Sequence, residues 1–355
     1  MGFGATVGGM KAITYENGPD SLRLIEVDDP VPGPGEVLID VAASAVNRAD
    51  LLQSKGLYPP PPGASEILGL ECSGRISAVG EGVEGLAVDD EVCALLAGGG
   101  YAEKVAVPAG QVMPVPVGVS LREAASLPEV AATVWSNLVM TGGLGRGTLA
   151  AQARWGDTEL GAPRVLIHGG SGGIGSHAVQ VCRALGARVA TTAGGPEKCE
   201  RCRDLGADLV IDYRDEDFVE RVGEWTDDDE RGPGADLILD VMGAKYLERN
   251  IRSLAPEGRL IVIGMQGGVK GELNLGRLLQ RRAGVIATAL RTRPVDGPGG
   301  KTGICREVVD NVWPMIGAGD VTTHISREIP LERAAEALAL LESGENHGKI
   351  LLTVD

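Results

Sequence analysis

The sequence predicts an α/β chain in two parts, a β-rich unit and a doubly wound parallel sheet of six strands. Three observations carry this expectation. Between Met10 and about Val107, short β-rich segments alternate with turns, without a strand-helix rhythm. From Arg164 onward, apolar runs alternate with helical segments. Hydrophobic residues make up 43% of the 355 positions but aromatic ones only 3%, so the core must be aliphatic, which suits parallel strands. A chain of this length holds about two domains.

In order, residues 1–9 read as a flexible tail, and MKAITY, LRLIEV and EVLIDVAASAV read as strands, the last following the turn at Pro32 to Gly35. Asn47 then starts a short helix through Gln53, which its side chain is suited to cap and which Asp50 stabilises at its positive end. Tyr58 leads into Pro59 to Pro62, a stiff extended loop. Strands resume at Leu70, and the glycines at 98 to 100 lead into AEKVAV. After Pro128 the helix EVAATVWSNLVM is expected, followed by a Gly-rich insertion between Thr141 and Pro163 that reads as a surface loop.

The run Val165, Leu166, Ile167 ends in a glycine cluster and opens into helical spacing at Ile174, Ala178, Val181, Cys182 and Leu185. The turn carries G-x-G-x-x-G as Gly170, Gly172 and Gly175, with Gly170 expected to make the turn, Gly172 to admit a pyrophosphate and Gly175 to let helix and strand pack closely. Ser171, Gly173 and Ile174 complete this cofactor site, where backbone N–H groups at the helix start face the phosphates. Further strands are read at ARVATTAG, LVIDY, ADLILDVMG, RLIVIG and VIATAL. The pattern is that of a Rossmann dinucleotide fold. Its second strand ends in Thr192-Ala193-Gly194-Gly195, without the carboxylate that would bind a ribose 2′-hydroxyl. NADPH is therefore the expected cofactor, with Lys198 placed to neutralise the 2′-phosphate unless it is an ordinary solvated lysine. Gly264, Met265, Leu290 and Arg291 follow later strands, where such folds bind ligands, and His168 reads as structural. Beyond Arg291 a helix (303–316), a strand near Val321 to Ile325, the helix LERAAEALALLESG and a last strand, KILLTV, are expected.

A net charge of -16 argues against a nucleic-acid or anionic-membrane surface. No apolar run reaches the roughly 18 residues of a membrane span, and the first residues lack the features of a secretory signal, so a cytoplasmic protein is expected. The six cysteines read as buried, reduced thiols, and the CxxC of Cys199 and Cys202 has no second pair nearby. No Ser/His/Asp constellation suggests a hydrolase.

The segments NRADLLQSKGLYPPPPG, ILGLECSG, ALLAGGGYAEKVAVP and IHGGSGGIG, in this order, resemble the quinone oxidoreductase (zeta-crystallin-like) branch of the medium-chain dehydrogenase/reductases, over Met10 to Val354. The zinc alcohol dehydrogenases of that superfamily place a Cys where this chain has Asn47 and Gly-His-Glu where it has Gly69-Leu70-Glu71, so no metal is expected. The resemblance implies a GroES-like catalytic domain over 10–127 and 291–355, a Rossmann domain over 128–290, and an active site in the cleft between them. It puts Asn47 and Tyr58 at the nicotinamide and substrate pocket as hydrogen bonders to a carbonyl oxygen. It puts Tyr213 beside the adenosine phosphate, Thr133 near the nicotinamide, and Lys349 within reach of the cofactor, with a surface lysine as the alternative. The implied activity is metal-free reduction of quinones by NADPH, as hydride or single electrons. Its alternatives are an enone, enal or enoyl-thioester reductase and a non-catalytic NADPH-binding structural protein. A homodimer through the edge strand VIATAL is also implied.

Overall fold

The computed structural model describes residues 9–145, 162–229 and 232–354. Residues 1–8 of the expected tail and most of the Thr141–Pro163 insertion lie outside the described residues. Gly9, expected in the tail, is the first residue of a strand. The chain divides into two compact units: one holds the residues up to Ala132, Leu290–Gly317 and those from Thr323 on; the other holds Thr133–Ala289 and Ala318–Thr322.

The first unit begins with a hairpin, β1 (Gly9–Thr14) on β2 (Arg23–Asp28). Then come β3 (Glu36–Ala45), the short α1 (Arg48–Ser54), β4 (Glu71–Val79), β5 (Glu91–Leu95), β6 (Lys104–Pro108), β7 (Val112–Pro114) and α2 (Leu121–Ala124). The helix α3 (Pro128–Val134) runs on with π-helical hydrogen bonding over Trp135–Thr141. Such widened turns inside helices occur often at functional sites.

In the second unit β8 (Arg164–His168), α4 (Gly173–Ala184), β9 (Arg188–Ala193), α5 (Pro196–Asp204), β10 (Leu209–Asp212), α6 (Phe218–Trp225), β11 (Ala235–Asp240), α7 (Leu247–Ser253), β12 (Leu254–Val262), α8 (Leu275–Arg281) and β13 (Gly284–Ala287) alternate as expected. All six strands pair in parallel, in the order β10-β9-β8-β11-β12-β13. Strand order reverses between β8 and β11, which is where this fold opens a crevice at the strand ends. The core is aliphatic, from Leu166, Ala190, Ile211, Ile238 and Leu260, with Phe218 against it.

The remaining elements are α9 (Lys301–Ala318), β14 (Ile325–Pro330), α10 (Ala334–Ser343) and β15 (Lys349–Thr353). β15 pairs antiparallel with β3 and so completes the first unit's seven-stranded sheet, ordered β14-β15-β3-β4-β5-β7 with β6 also on β3. The expected strand near Val321 to Ile325 is displaced: β14 starts where that segment ends. Its Ser326, Arg327 and Glu328 suppress the apolar signal, because an edge strand covered on one side needs few apolar residues, and here only Ile329 is fully buried.

Candidate active site

The glycine turn follows β8. Gly169, with φ +77°, reverses the chain, a role expected of Gly170. Gly170 is needed for closeness instead: a Cβ there would lie 2.1 Å from Thr191 Oγ1 and 3.0 Å from Cys202 Sγ. The N–H groups of Gly169 and Gly170 both donate to Thr192 O, at 3.1 and 3.0 Å, pinning the turn to β9. A Cβ on Gly175 would stand 2.1 Å from Gly169 O, so α4 packs directly on the turn as expected. At Gly172 the nearest atom would be 3.5 Å away, which leaves room on that side. No acidic side chain sits in the first turn of α4, so its unpaired N–H groups, around Gly173 and Ile174 beside Ser171, keep the positive field that a pyrophosphate requires.

At the end of β9, Gly194 lies beneath the Tyr213 phenol, whose oxygen would be 2.4 Å from a Cβ at that position. Gly195, with φ +92°, stands against the Arg214 guanidinium, 2.9 Å from where its Cβ would be. Lys198, half-buried and engaged with neighbours, is one turn into α5 and so is not the freely solvated lysine of the alternative reading. Arg214 is a second cation at this end that the sequence reading passed over. Its signal was a basic residue directly after Tyr213 at the end of a strand. Asp212 is nearby, but it accepts from the N–H groups of Gly195 (3.0 Å) and Arg214 (3.1 Å). A turn without side chains, a helix start without acids and two cations where an acid would favour NADH together fit NADPH.

His168 is structural. Its ring nitrogens face Asn250 Oδ1 (2.7 Å) and Thr192 Oγ1 (3.1 Å), its ring meets Phe218 and Tyr246 edge-on, and burial pushes its pKa down to about 4. Thr133 is buried, and its carbonyl accepts from Asn137 Nδ2 at 2.8 Å. Thr288 in turn donates to Asn137 Oδ1 at 2.6 Å, which ties the π-helical stretch to the residue after β13. Gly264 is packed on Val241, and Met265 is 58% exposed. Cys199 and Cys202 are buried thiols whose pKa burial raises, that of Cys202 to about 12. Among the described residues no group of three or more His, Cys, Asp or Glu is placed to hold a metal ion.

The polar centre of the first unit is a buried charge cluster. Glu71, on β4, is fully buried, and its Oε1 accepts from Lys349 Nζ at 2.5 Å and from Asn47 Nδ2 at 2.9 Å. Its Oε2 accepts from the Glu129 N–H at 2.8 Å, capping the first turn of α3. Lys349 also donates to Asn47 Oδ1 (2.7 Å) and Val46 O (3.3 Å), so the ammonium's three protons are taken up inside. At 6% exposure Lys349 is not the surface lysine of the alternative reading. The Asn47 Nδ2 group gives its second hydrogen to Ala45 O at 3.2 Å, leaving that amide no spare donor for a substrate carbonyl. Asp50 accepts from the Asn47 N–H (2.8 Å), the Gly69 N–H (3.1 Å) and Tyr101 Oη (3.1 Å), fixing the start of α1; burial raises its pKa to about 6. Neither Glu71 nor Tyr101 was named as a site residue from sequence.

Tyr58 is half-buried. The structure supplies Arg291, whose guanidinium carbon stands 5.5 Å from the Tyr58 ring centroid. Arg291 and Leu290 belong to the first unit, although they follow β13 in sequence. The guanidinium donates to Gln53 Oε1 (2.7 Å), Ala97 O (2.8 Å) and Tyr58 O (3.3 Å), holding the Tyr58 loop. Burial raises the Tyr58 pKa, Glu129 adds to the rise and Arg291 opposes it, so the phenol stays protonated at neutral pH.

A glycine turn at the reversal of a parallel sheet, with cations beside it, defines a dinucleotide-binding protein. Two families match: "Alcohol dehydrogenase GroES-like domain" over residues 33–117 and "Zinc-binding dehydrogenase" over 173–297. The quinone oxidoreductase of Escherichia coli complexed with NADPH has a similar structure, with a TM-score of 0.81 and 27% identity, covering 98% of this chain and 99% of that one. A probable oxidoreductase from Mycobacterium abscessus is 30% identical, with a TM-score of 0.76, covering 98% of this chain and 100% of that one. Among curated proteins, the phthioceranic/hydroxyphthioceranic acid synthase of Mycobacterium tuberculosis is 32% identical over 329 residues, which is 91% of this chain but 14% of that synthase. The chain thus spans about a seventh of the polyketide synthases it matches. The chain belongs to the medium-chain dehydrogenase/reductase superfamily, on its quinone oxidoreductase branch. It is an NADPH-dependent oxidoreductase.

Proposed function

We propose that this oxidoreductase reduces quinones. The reading is supported by one observation: the fold of the E. coli quinone oxidoreductase is shared along 98% of this chain at a TM-score of 0.81. Bound NADPH supplies the hydride or electrons. The residues from Gly169 to Gly175 would hold its pyrophosphate, and Lys198, Tyr213 and Arg214 its 2′-phosphate. Thr133, Gly264 and Met265 are assigned to the same cofactor. The Tyr58 phenol, kept protonated by burial, is the donor that polarises the acceptor carbonyl. Asn47 and Lys349 set the floor of that site through their shared hydrogen bonds with Glu71. A quinone is already electrophilic, so a neutral donor suffices.

A second reading, reduction of a conjugated enone, enal or enoyl thioester, draws support from the 32% identity to a polyketide synthase. It asks for the same hydride and the same polarisation. NADPH oxidation followed at 340 nm across a panel of quinones, enones and enoyl thioesters separates the two. Turnover confined to the conjugated carbonyls overturns the quinone reading, and tight NADPH binding with no turnover favours the structural protein. A cytoplasmic setting remains part of the proposal; among the described residues no helix is long and apolar enough to cross a membrane. So does a homodimer. β13 is an edge strand, and Leu275 and Leu279 on the preceding helix are 64% and 78% exposed, a face that a second copy would cover. A monomer in light scattering at micromolar concentration would rule it out.

A further inference from the structure

Tyr58 leads into Pro59–Pro62, four residues with no backbone N–H to give. Such a loop is tied down through its carbonyls and side chains. Ala64 donates to Pro61 O at 3.1 Å, which only closes the loop on itself. Among the described residues, one hydrogen bond joins residues 58–62 to the rest of the first unit: Arg291 Nη1 donates to Tyr58 O at 3.3 Å. The same guanidinium lies 5.5 Å from the Tyr58 ring centroid, within cation–π reach. Whatever aims the guanidinium therefore decides where Tyr58 stands.

Arg291 is 4% exposed and forms no ion pair among the described residues. Its acceptors are neutral oxygens: Gln53 Oε1 at 2.7 Å, Ala97 O at 2.8 Å and Tyr58 O. A guanidinium held from water without a carboxylate is costly, so its neutral partners must themselves be firmly placed. Gln53 gives the shortest of these contacts and is 1% exposed, in the last turn of α1. Its Nε2 spends both hydrogens, on Tyr15 Oη and Glu66 O, each at 3.0 Å. That fixes which way the amide faces, because the turned-over group would set a donor against the Arg291 donor. Glu could accept from Arg291 but not donate to Glu66 O; Lys could donate but not accept. An amide does both.

We infer that Gln53 is a positioning residue of the acceptor site, setting the place of the Tyr58 phenol through the Arg291 guanidinium. On this inference Arg291 serves the acceptor rather than the cofactor. The word acceptor rests on the functional reading above, but the placement of Tyr58 does not.

The test uses the full-length protein and two readouts. The first needs no turnover: with fluorotyrosine incorporated, the Tyr58 resonance is assigned by its loss in Y58F and followed by fluorine NMR. Q53M, which keeps the side-chain volume, and R291M are expected to shift or broaden it, while the Tyr213 and Tyr246 resonances of the second unit stay in place. The second is kinetic. With menadione, kcat/KM is expected to fall about tenfold in Q53M and in R291M, while NADPH affinity changes by less than about twofold. In a Y58F background the further loss from Q53M should be less than about twofold, since a group that acts through the phenol has nothing left to place. Should Q53M fail to fold, R291K carries the same test, because an ammonium cannot meet three acceptors set by a planar fork. A Tyr58 resonance that stays unmoved in the folded variants overturns the inference. So does a loss from Q53M as large in Y58F as in wild type, or a fall in NADPH affinity matching that in kcat/KM. If wild type reduces no acceptor, the functional reading fails alone, and the Tyr58 resonance still decides Gln53.

Discussion

The glycine turn of the second unit and the Asn47–Glu71–Lys349 cluster of the first hold their geometry by opposite means. In the turn, side chains are missing where the backbone must be approached closely: a Cβ at Gly175 would lie 2.1 Å from the backbone oxygen of Gly169, and one at Gly170 2.1 Å from Thr191 Oγ1. In the cluster, charges are present where water is not: Glu71 is fully buried, Lys349 is 6% exposed, and each satisfies the other. The turn should therefore tolerate no addition, and the cluster no one-sided removal.

The largest effect is expected from Gly175→Val. An overlap with Gly169 O cannot be relieved by a rotamer change, because both partners are backbone. Loss of NADPH binding together with a fall in unfolding free energy of about 3 kcal/mol or more is expected, read by fluorescence titration and chemical denaturation. Gly172→Ala is the control: its Cβ would have 3.5 Å of clearance, so the fold should survive while cofactor affinity drops. Near-wild-type NADPH binding by Gly175→Val would break the contrast.

In the cluster, Glu71→Ala leaves a buried ammonium unpaired and removes the cap on α3, for an expected loss of about 3–5 kcal/mol. The double variant E71Q/K349M removes both charges and should recover most of that loss, since a buried ion pair replaced by apolar groups of similar volume is often near neutral. Urea denaturation of the three proteins settles it. A double variant as unstable as Glu71→Ala would mean that the shared hydrogen bonds, not the charge balance, hold the site.

The same difference explains what could be read from sequence. The turn is local: its glycines lie within seven residues, and Val165 to Ile167 and the helical spacing flank them. Even so, the reversal belongs to Gly169 and not Gly170, because the spacing does not report φ. Asn47 and Lys349 are 302 residues apart in sequence, and only the pairing of β15 with β3 brings them together. In isolation HGKILL offers no reason to bury its lysine. Arg291 is similar: the domain bounds expected from the resemblance put it with the first unit, but nothing in its sequence names Gln53 and Ala97 as its partners.

Buried neutral groups give a third effect, which emerges only as pH falls below neutral. His168 and His177 have their pKa pushed from 6.5 to about 4 by burial. An unfolded histidine takes up its proton near 6.5 and the folded one only near 4. Between these values protons favour the unfolded chain, so stability is present above 6.5 and is lost as pH falls through the window, by on the order of 3 kcal/mol for each ring. His168→Asn should flatten the pH dependence of the denaturation midpoint between 6.5 and 4, at the cost of the contact with Asn250. An unchanged slope would mean that His168 titrates normally.

The smallest effect concerns the second unit's two cations, where side chains decide rather than their absence. Arg214 stands against Gly195 and Lys198 lies in the first turn of α5, but neither is part of the glycine turn itself, so the fold should be indifferent to them. Replacing either by Ser is expected to weaken NADPH binding about tenfold, near 1.4 kcal/mol, with NADH affinity changed by less than about twofold. The two losses should be less than additive in the double variant if both cations meet one phosphate, since each then partly compensates for the other. Arg214 is the sharper case, because its guanidinium stands where Gly195 alone makes room for it. A Gly195→Ala protein should therefore resemble Arg214→Ser in cofactor preference, with an added strain penalty from φ +92°. If Arg214→Ser left the NADPH preference intact while Lys198→Ser removed it, recognition would rest on α5 alone, and the glycine at 195 would serve only the turn.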